Sequence, residues 1–204
     1  EHPKVLSYLD VLRDKKPAEA AKTLQRAYEL EPAAAVVVKL HQAYVAAGAA
    51  AKGQSVVDDW LKRRPDDLMI NQYLAQRSLE EGDFNAAARR YEVVLKQQPS
   101  NAAVLNNYAW ALAQLKRPNA LEYAEKAYAV SGDNPRVMDT VGMIALEAGK
   151  TERALKLLRS AAQLAPEAIE IRYHFAQALV KSGAKAQARK ELEQVLESGK
   201  QFSE

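Results

Sequence analysis

Pro32, Pro65, Pro99, Gly132 and Pro166 recur along this chain at separations of 33, 34, 33 and 34 residues, each at the end of a helical pattern. A proline there cannot continue the helix, because it lacks the N–H and its ring clashes with the preceding turn. A period of this length means that one supersecondary unit is repeated. Each copy exposes an apolar face that only its neighbours can cover, so the copies must stack.

The interior of the period repeats as well. Asp66-Asp67, Ser100-Asn101 and Asp133-Asn134-Pro135 place capping side chains just before the next apolar run, and Asn134-Pro135 reads as a cap followed by a first-turn proline. A second break falls near mid-period at Gly48, Gly82, Gly149 and Gly183, where a left-handed residue can close a helix. Each unit is therefore predicted to be helix, turn, helix. Ala75, Ala109, Gly142 and Ala176 occupy one position of the first helix, and Ala20, Ala87, Ala120, Ala154 and Ala188 one position of the second. Side chains this small let two helix axes approach to about 8 Å, the short end of normal packing. Leu74 with Tyr91, Val141 with Leu158 and Phe175 with Leu192 are the expected larger core partners.

These residues resemble the tetratricopeptide repeat, with small residues in both helices, a mid-unit glycine and a closing proline. The resemblance covers nearly the whole chain and implies an all-α, right-handed superhelical solenoid of helix-turn-helix repeats, about six in number. The expected organisation is a single array over 1–204, with repeats at 1–34 (irregular), 35–67, 68–101, 102–134, 135–168 and 169–199 and the start of a truncated tail at 200–204. Repeat 135–168 matches best. In 102–134 Lys116-Arg117-Pro118 replaces the turn glycine, and the turn there reads as one residue short. In 35–67 His41 stands where a small residue belongs, and Gly53 is expected to face it and make room.

With 48% apolar and 27% charged residues, the chain has the makings of a core. Its net charge of +3 is spread so evenly that no repeat carries more than one net charge, which leaves no basic stripe for nucleic acid. Without cysteine there is no disulfide, thiolate metal site or Cys nucleophile. No run of 18 apolar residues occurs, so direct membrane contact by these residues is not expected. The sequence opens at Glu1 without Met and reads as a piece of something longer. No nucleophile elbow, phosphate-binding glycine loop or zinc-type His pair appears, so neither catalysis nor a cofactor or metal is expected. His2, His41 and His174 lie far apart; His41 reads as a packed residue and His174 as a helix-surface one. Asp58-Asp59 and Glu80-Glu81 are sequence neighbours that diverge on a helix and read as solvated.

By the same resemblance, the first helix of each unit lines a concave face. The groove positions are then Met69, Gln72, Gln76 and Leu79; Ala103, Asn106, Trp110 and Ala113; Arg136, Asp139, Met143 and Leu146; and Glu170, Tyr173, Gln177 and Val180. Gln72, Gln76, Asn106, Trp110, Arg136, Asp139, Met143, Tyr173 and Gln177 are the candidate peptide-binding residues. Asn and Gln can pair with both N–H and C=O of an extended backbone, and Trp110, Met143 and Tyr173 offer adaptable anchors. Trp110 packing on the next repeat remains the alternative. Gln72, Gln76 and Glu80 stand where some members of the family place cations for a C-terminal carboxylate, which disfavours that mode. The expected partner is a protein or extended peptide, and the chain a non-catalytic scaffold. The alternative is a structural spacer that self-associates weakly through uncapped ends. The strings Asn106-Asn107-Tyr108-Ala109-Trp110, Tyr123-Ala124-Glu125-Lys126-Ala127 and Ile171-Arg172-Tyr173-His174-Phe175-Ala176 are also similar to the C-terminal arrays of bacterial repeat lipoproteins of exopolysaccharide and protein-sorting (PEP-CTERM, exosortase) systems. That narrower resemblance implies a lipid-anchored parent facing the periplasm or cell envelope; without it, the chain is expected in the cytoplasm.

Overall fold

The computed structural model describes residues 16–197, which contain eleven α-helices and no strand. The helices are α1 (Pro17–Leu30), α2 (Ala34–Ala46), α3 (Ala50–Arg63), α4 (Leu68–Glu80), α5 (Phe84–Gln97), α6 (Ala102–Gln114), α7 (Ala120–Ser131), α8 (Pro135–Glu147), α9 (Thr151–Leu164), α10 (Ile169–Lys181) and α11 (Lys185–Glu197). His2, the first half of repeat 1–34 and the tail at 200–204 lie outside the described residues. The chain divides into two compact units, Glu1–Arg77 and Ser78–Glu204.

In the first unit α1 packs on α2 and α2 on α3. Ala20, Ala21 and Leu24 of α1 form one apolar cluster with Leu40 and Ala43 of α2. Val37, Val57, Trp60 and Ile70 form the next. His41 is 2% exposed, and Gly53 does make its room: a Cβ added at Gly53 would lie 3.1 Å from the His41 carbonyl oxygen and 3.2 Å from its Cδ2. The imidazole is held by a hydrogen bond of 2.6 Å between Nδ1 and the Tyr73 hydroxyl. Asp67 secures the start of α4 in two directions, one carboxylate oxygen accepting from the Ile70 N–H and the other from Trp60 Nε1.

The second unit is a run of antiparallel neighbours from α5 to α11, each helix packed on the one before it. Ala109, Gly142 and Ala176 of the first helices are buried, as are Ala87, Ala120, Ala154 and Ala188 of the second. The contact is tightest at Gly142, where an added Cβ would sit 2.6 Å from Leu158 Cγ.

Five turns close the hairpins in one way. Gly48, Gly82, Lys116, Gly149 and Gly183 all have positive φ, and the next residue donates its N–H to the carbonyl five residues back. Those bonds, from Ala49 to Tyr44, Asp83 to Ser78, Arg117 to Leu112, Lys150 to Ala145 and Ala184 to Leu179, are all 2.8–2.9 Å long. Lys116 takes the glycine's left-handed conformation at φ 54°. One residue fewer than usual follows it: four positions separate Lys116 from Ala120, against five from Gly82 to Ala87, Gly149 to Ala154 and Gly183 to Ala188. Three residues join α1 to α2 (31–33) and α7 to α8 (132–134), whereas four join α3 to α4, α5 to α6 and α9 to α10. Gly132 makes the α7–α8 join with φ 60° and ψ −138°, a region open to glycine, and Asn134 then caps α8 through the Arg136 N–H.

Two stability changes follow. Lys116→Gly relieves a left-handed side-chain residue and should raise stability by about 0.5–1 kcal/mol in urea melts followed by circular dichroism. Gly142→Ala gains about 1 kcal/mol of helix propensity but drives a methyl into Leu158, so a net loss of about 1–2 kcal/mol is expected by the same measurement.

Candidate functional site

Within the second unit the first helices form a row: α6 packs on α8 and α8 on α10, in addition to their hairpin contacts. The seam between α8 and α10 has a fixed register. His174 Nδ1 lies 2.9 Å from both Oδ1 and Oδ2 of Asp139, and Lys181 Nζ donates to the Leu146 carbonyl at 2.6 Å, both pairs being 35 residues apart. The second helices approach one another through long side chains instead, as where Arg153 forks onto Glu125 from α9 to α7. Helices crowded on one side and spread on the other curve the stack, so in this unit the exposed face of α6, α8 and α10 is the inner one.

That face carries most of the candidate residues. On α6, Asn106 and Trp110 are half-buried; on α8, Arg136 is exposed and Asp139 and Met143 half-buried; on α10, Tyr173 is exposed and Gln177 half-buried. Gln72, half-buried, and Gln76, exposed, lie on α4 in the first unit. Two expectations need correction. Leu146 offers a groove ligand almost no surface: it is buried at 6% exposure. His174 is not a free surface residue, because its side chain is wedged between helices against Asp139. Asn106 has a further peculiarity. Its Nδ2 donates to Asn107 Oδ1 at 3.3 Å, while its own Oδ1 is buried without a hydrogen-bond partner among the described residues.

The Asp139 carboxyl titrates above its ordinary value, because burial penalises the charged form; the hydrogen bond and charge of His174 pull the other way, and Glu170 adds to the rise. Beneath the row, the Tyr108 phenol is likewise pushed up by burial and by donating to Glu92 Oε1 at 2.7 Å. No group of three or more His, Cys, Asp or Glu that could hold a metal occurs among the described residues. Nor is any described helix long and apolar enough to cross a membrane.

A sequence model of the tetratricopeptide repeat matches residues 78–120 and 145–204, together just over half of the chain. The chain belongs to the tetratricopeptide repeat (TPR) family. It is 27% identical over 153 residues to TPR repeat-containing protein PA4667 of Pseudomonas aeruginosa, a match covering 73% of this chain but 26% of that relative. This TPR chain thus corresponds to little more than a quarter of the relative's length. Among solved structures, a TPR protein from Parabacteroides merdae superposes with a TM-score of 0.81 at 17% identity, over 98% of this chain and 80% of that one. YrrB, a TPR protein with an unusual peptide-binding site, superposes at 0.68 and 14% identity, over 87% and 93%. At these identities the likenesses speak for the TPR fold.

The family pattern alone does not reveal the Asp139–His174 couple, but one signal could have: complementary residue types one period plus one apart. Asp139 binds its proton more tightly folded than unfolded, so its contribution to stability is fully present below the ordinary value of 3.8 and is lost as pH rises through the higher folded value. Asp139→Asn removes this dependence. The stability of the native chain relative to Asp139→Asn should therefore fall as pH climbs from 3.8 towards neutrality in paired thermal melts, and a flat difference would mean an ordinary solvated carboxylate.

Proposed function

We propose that this TPR chain is a non-catalytic scaffold whose second unit holds an extended segment of a partner protein along α6, α8 and α10. The observation that carries this reading is the row of partly exposed side chains: Asn106 and Trp110 on α6, Met143 on α8, and Tyr173 and Gln177 on α10. The Asn106 amide nitrogen can donate to a carbonyl of an extended backbone. Trp, Met and Tyr supply adaptable apolar contact beside it, and Gln177 a second amide. The peptide-binding site of YrrB, on a similar fold, supports the same reading.

The finer proposal sets this scaffold in a bacterial envelope assembly serving exopolysaccharide export or protein sorting, with the parent protein facing the periplasm. Its support is the resemblance of the strings at 106–110, 123–127 and 171–176 to lipoprotein arrays of that kind. A second reading, a spacer that self-associates through its ends, draws on Leu196, which is 79% exposed on the last described helix.

Trp110→Ala separates these readings. Capture of partner from envelope extract should fall about tenfold or more, equivalent to about 1.4 kcal/mol, with the far-ultraviolet spectrum unchanged. Unfolding of the variant would make Trp110 a core residue. Undiminished capture, or light scattering that shows end-to-end dimers and no partner, would favour the spacer.

A further inference from the structure

The side of α10 turned away from Tyr173, Gln177 and Val180 faces a different environment. There a cavity of about 500 Å³ opens between α9 and α11, with Phe175 and Leu179 of α10 as its floor. Arg159 and Gln163, one turn apart, stand on the α9 wall; Gln187, Lys190 and Glu191, likewise on one helix face, stand on the α11 wall.

The charges of this trough do not cancel. Arg172, at its end, is already engaged: Nη1 donates to Glu191 Oε2 at 2.6 Å and to Gln194, and Nη2 to the Pro166 carbonyl at 3.2 Å. Arg172 and Glu191 therefore neutralise one another and fix the corner where α10 begins. Arg159 and Lys190 have no such partner. Among the described residues neither is paired with a carboxylate, and both are exposed, on opposite walls. The Arg159 guanidinium stands 5.8 Å from the centre of the Phe175 ring, a placement that orients it over the floor. Some other cations on the second-helix side are paired, as Arg189 is with Glu193 and Lys126 with Glu122.

We propose that this trough is a second binding site, separate from the inner row, and that it takes an acidic stretch of a partner polypeptide. Carboxylates of the stretch pair with Arg159 and Lys190, the amides of Gln163 and Gln187 meet its backbone from both walls, and an apolar side chain rests on Phe175 and Leu179. Charge complementarity selects the occupant. Two uncompensated cations suit a pair of carboxylates, whereas a nucleic-acid backbone needs several phosphate contacts to gain from counterion release. Amide side chains on both walls suit a main chain, because each offers a donor and an acceptor.

The test is a fluorescence-anisotropy titration of the chain with a fluorescein-labelled Glu-Glu-Leu-Glu-Glu-Phe peptide, alongside a matched peptide with Gln in place of Glu. The acidic peptide should bind, more weakly as salt is raised, and the Gln peptide should not. Arg159→Glu combined with Lys190→Glu should weaken binding about tenfold or more, while Arg159→Lys with Lys190→Arg retains it and Trp110→Ala leaves it unchanged. Both positions are exposed, so the charge-reversed chain is expected to fold, with circular dichroism as the check and the Lys/Arg exchange as the second variant. The proposal is overturned by equal binding of the Gln peptide, by indifference to charge reversal or by absence of binding at low salt. Full competition by a single-stranded oligonucleotide of equal charge would assign the trough to nucleic acid instead. Loss of binding in Trp110→Ala would place the peptide on the inner row, so failure here and failure of the inner-row reading remain distinct.

Discussion

Two helix axes come close only where one of them presents almost nothing to the other, and the hairpins of this chain are built around that constraint. At Gly142 the facing Leu158 fills the space that even a methyl group would need. Alanine does the same at the equivalent places, each of them shut off from solvent. Once the axes are that close, the surrounding apolar side chains interdigitate without gaps, and dispersion summed over many contacts holds the pair together. The closing turn is then dictated by the distance to be crossed. All five turns bridge it with the same left-handed residue and the same long-range backbone bond, even where the residue is a lysine.

This constraint explains what could be read from the sequence. The small residues, the glycine breaks and the closing prolines are local requirements, and each leaves its mark at its own position. The space that Gly53 leaves for His41 was legible because a large residue and a missing one stood in facing positions. Other features depend on energies or on lateral fit. A period of 33 rather than 34 residues does not say where the residue is missing. Lys116 adopts the left-handed conformation of the glycines it replaces, and the missing residue lies just after it, before Ala120. His174 looked solvated because its partner Asp139 belongs to the helix alongside, and only the register of the seam brings them together. Leu146 holds a groove position in the pattern but is almost shut off from solvent.

The candidate inner row and the outer trough use one helix, α10, from two sides. Tyr173, Gln177 and Val180 serve the first, and Arg172, Phe175 and Leu179 the second. A thin element exposed on both faces is a natural outcome of stacking, since each helix pair buries only the surfaces it turns to its neighbours. The two faces nonetheless differ in chemistry. Aromatic, thioether and amide groups dominate one, and cations over an aromatic floor the other.

The register between α8 and α10 has an implication for how such a chain can change length. Both of its pairs, Asp139 with His174 and Lys181 with Leu146, span the same 35 residues. A single inserted residue between them would pull both apart together, whereas gain or loss of an entire hairpin would carry every seam along undisturbed. Evolution can therefore lengthen or trim this architecture in whole increments much more readily than by single residues.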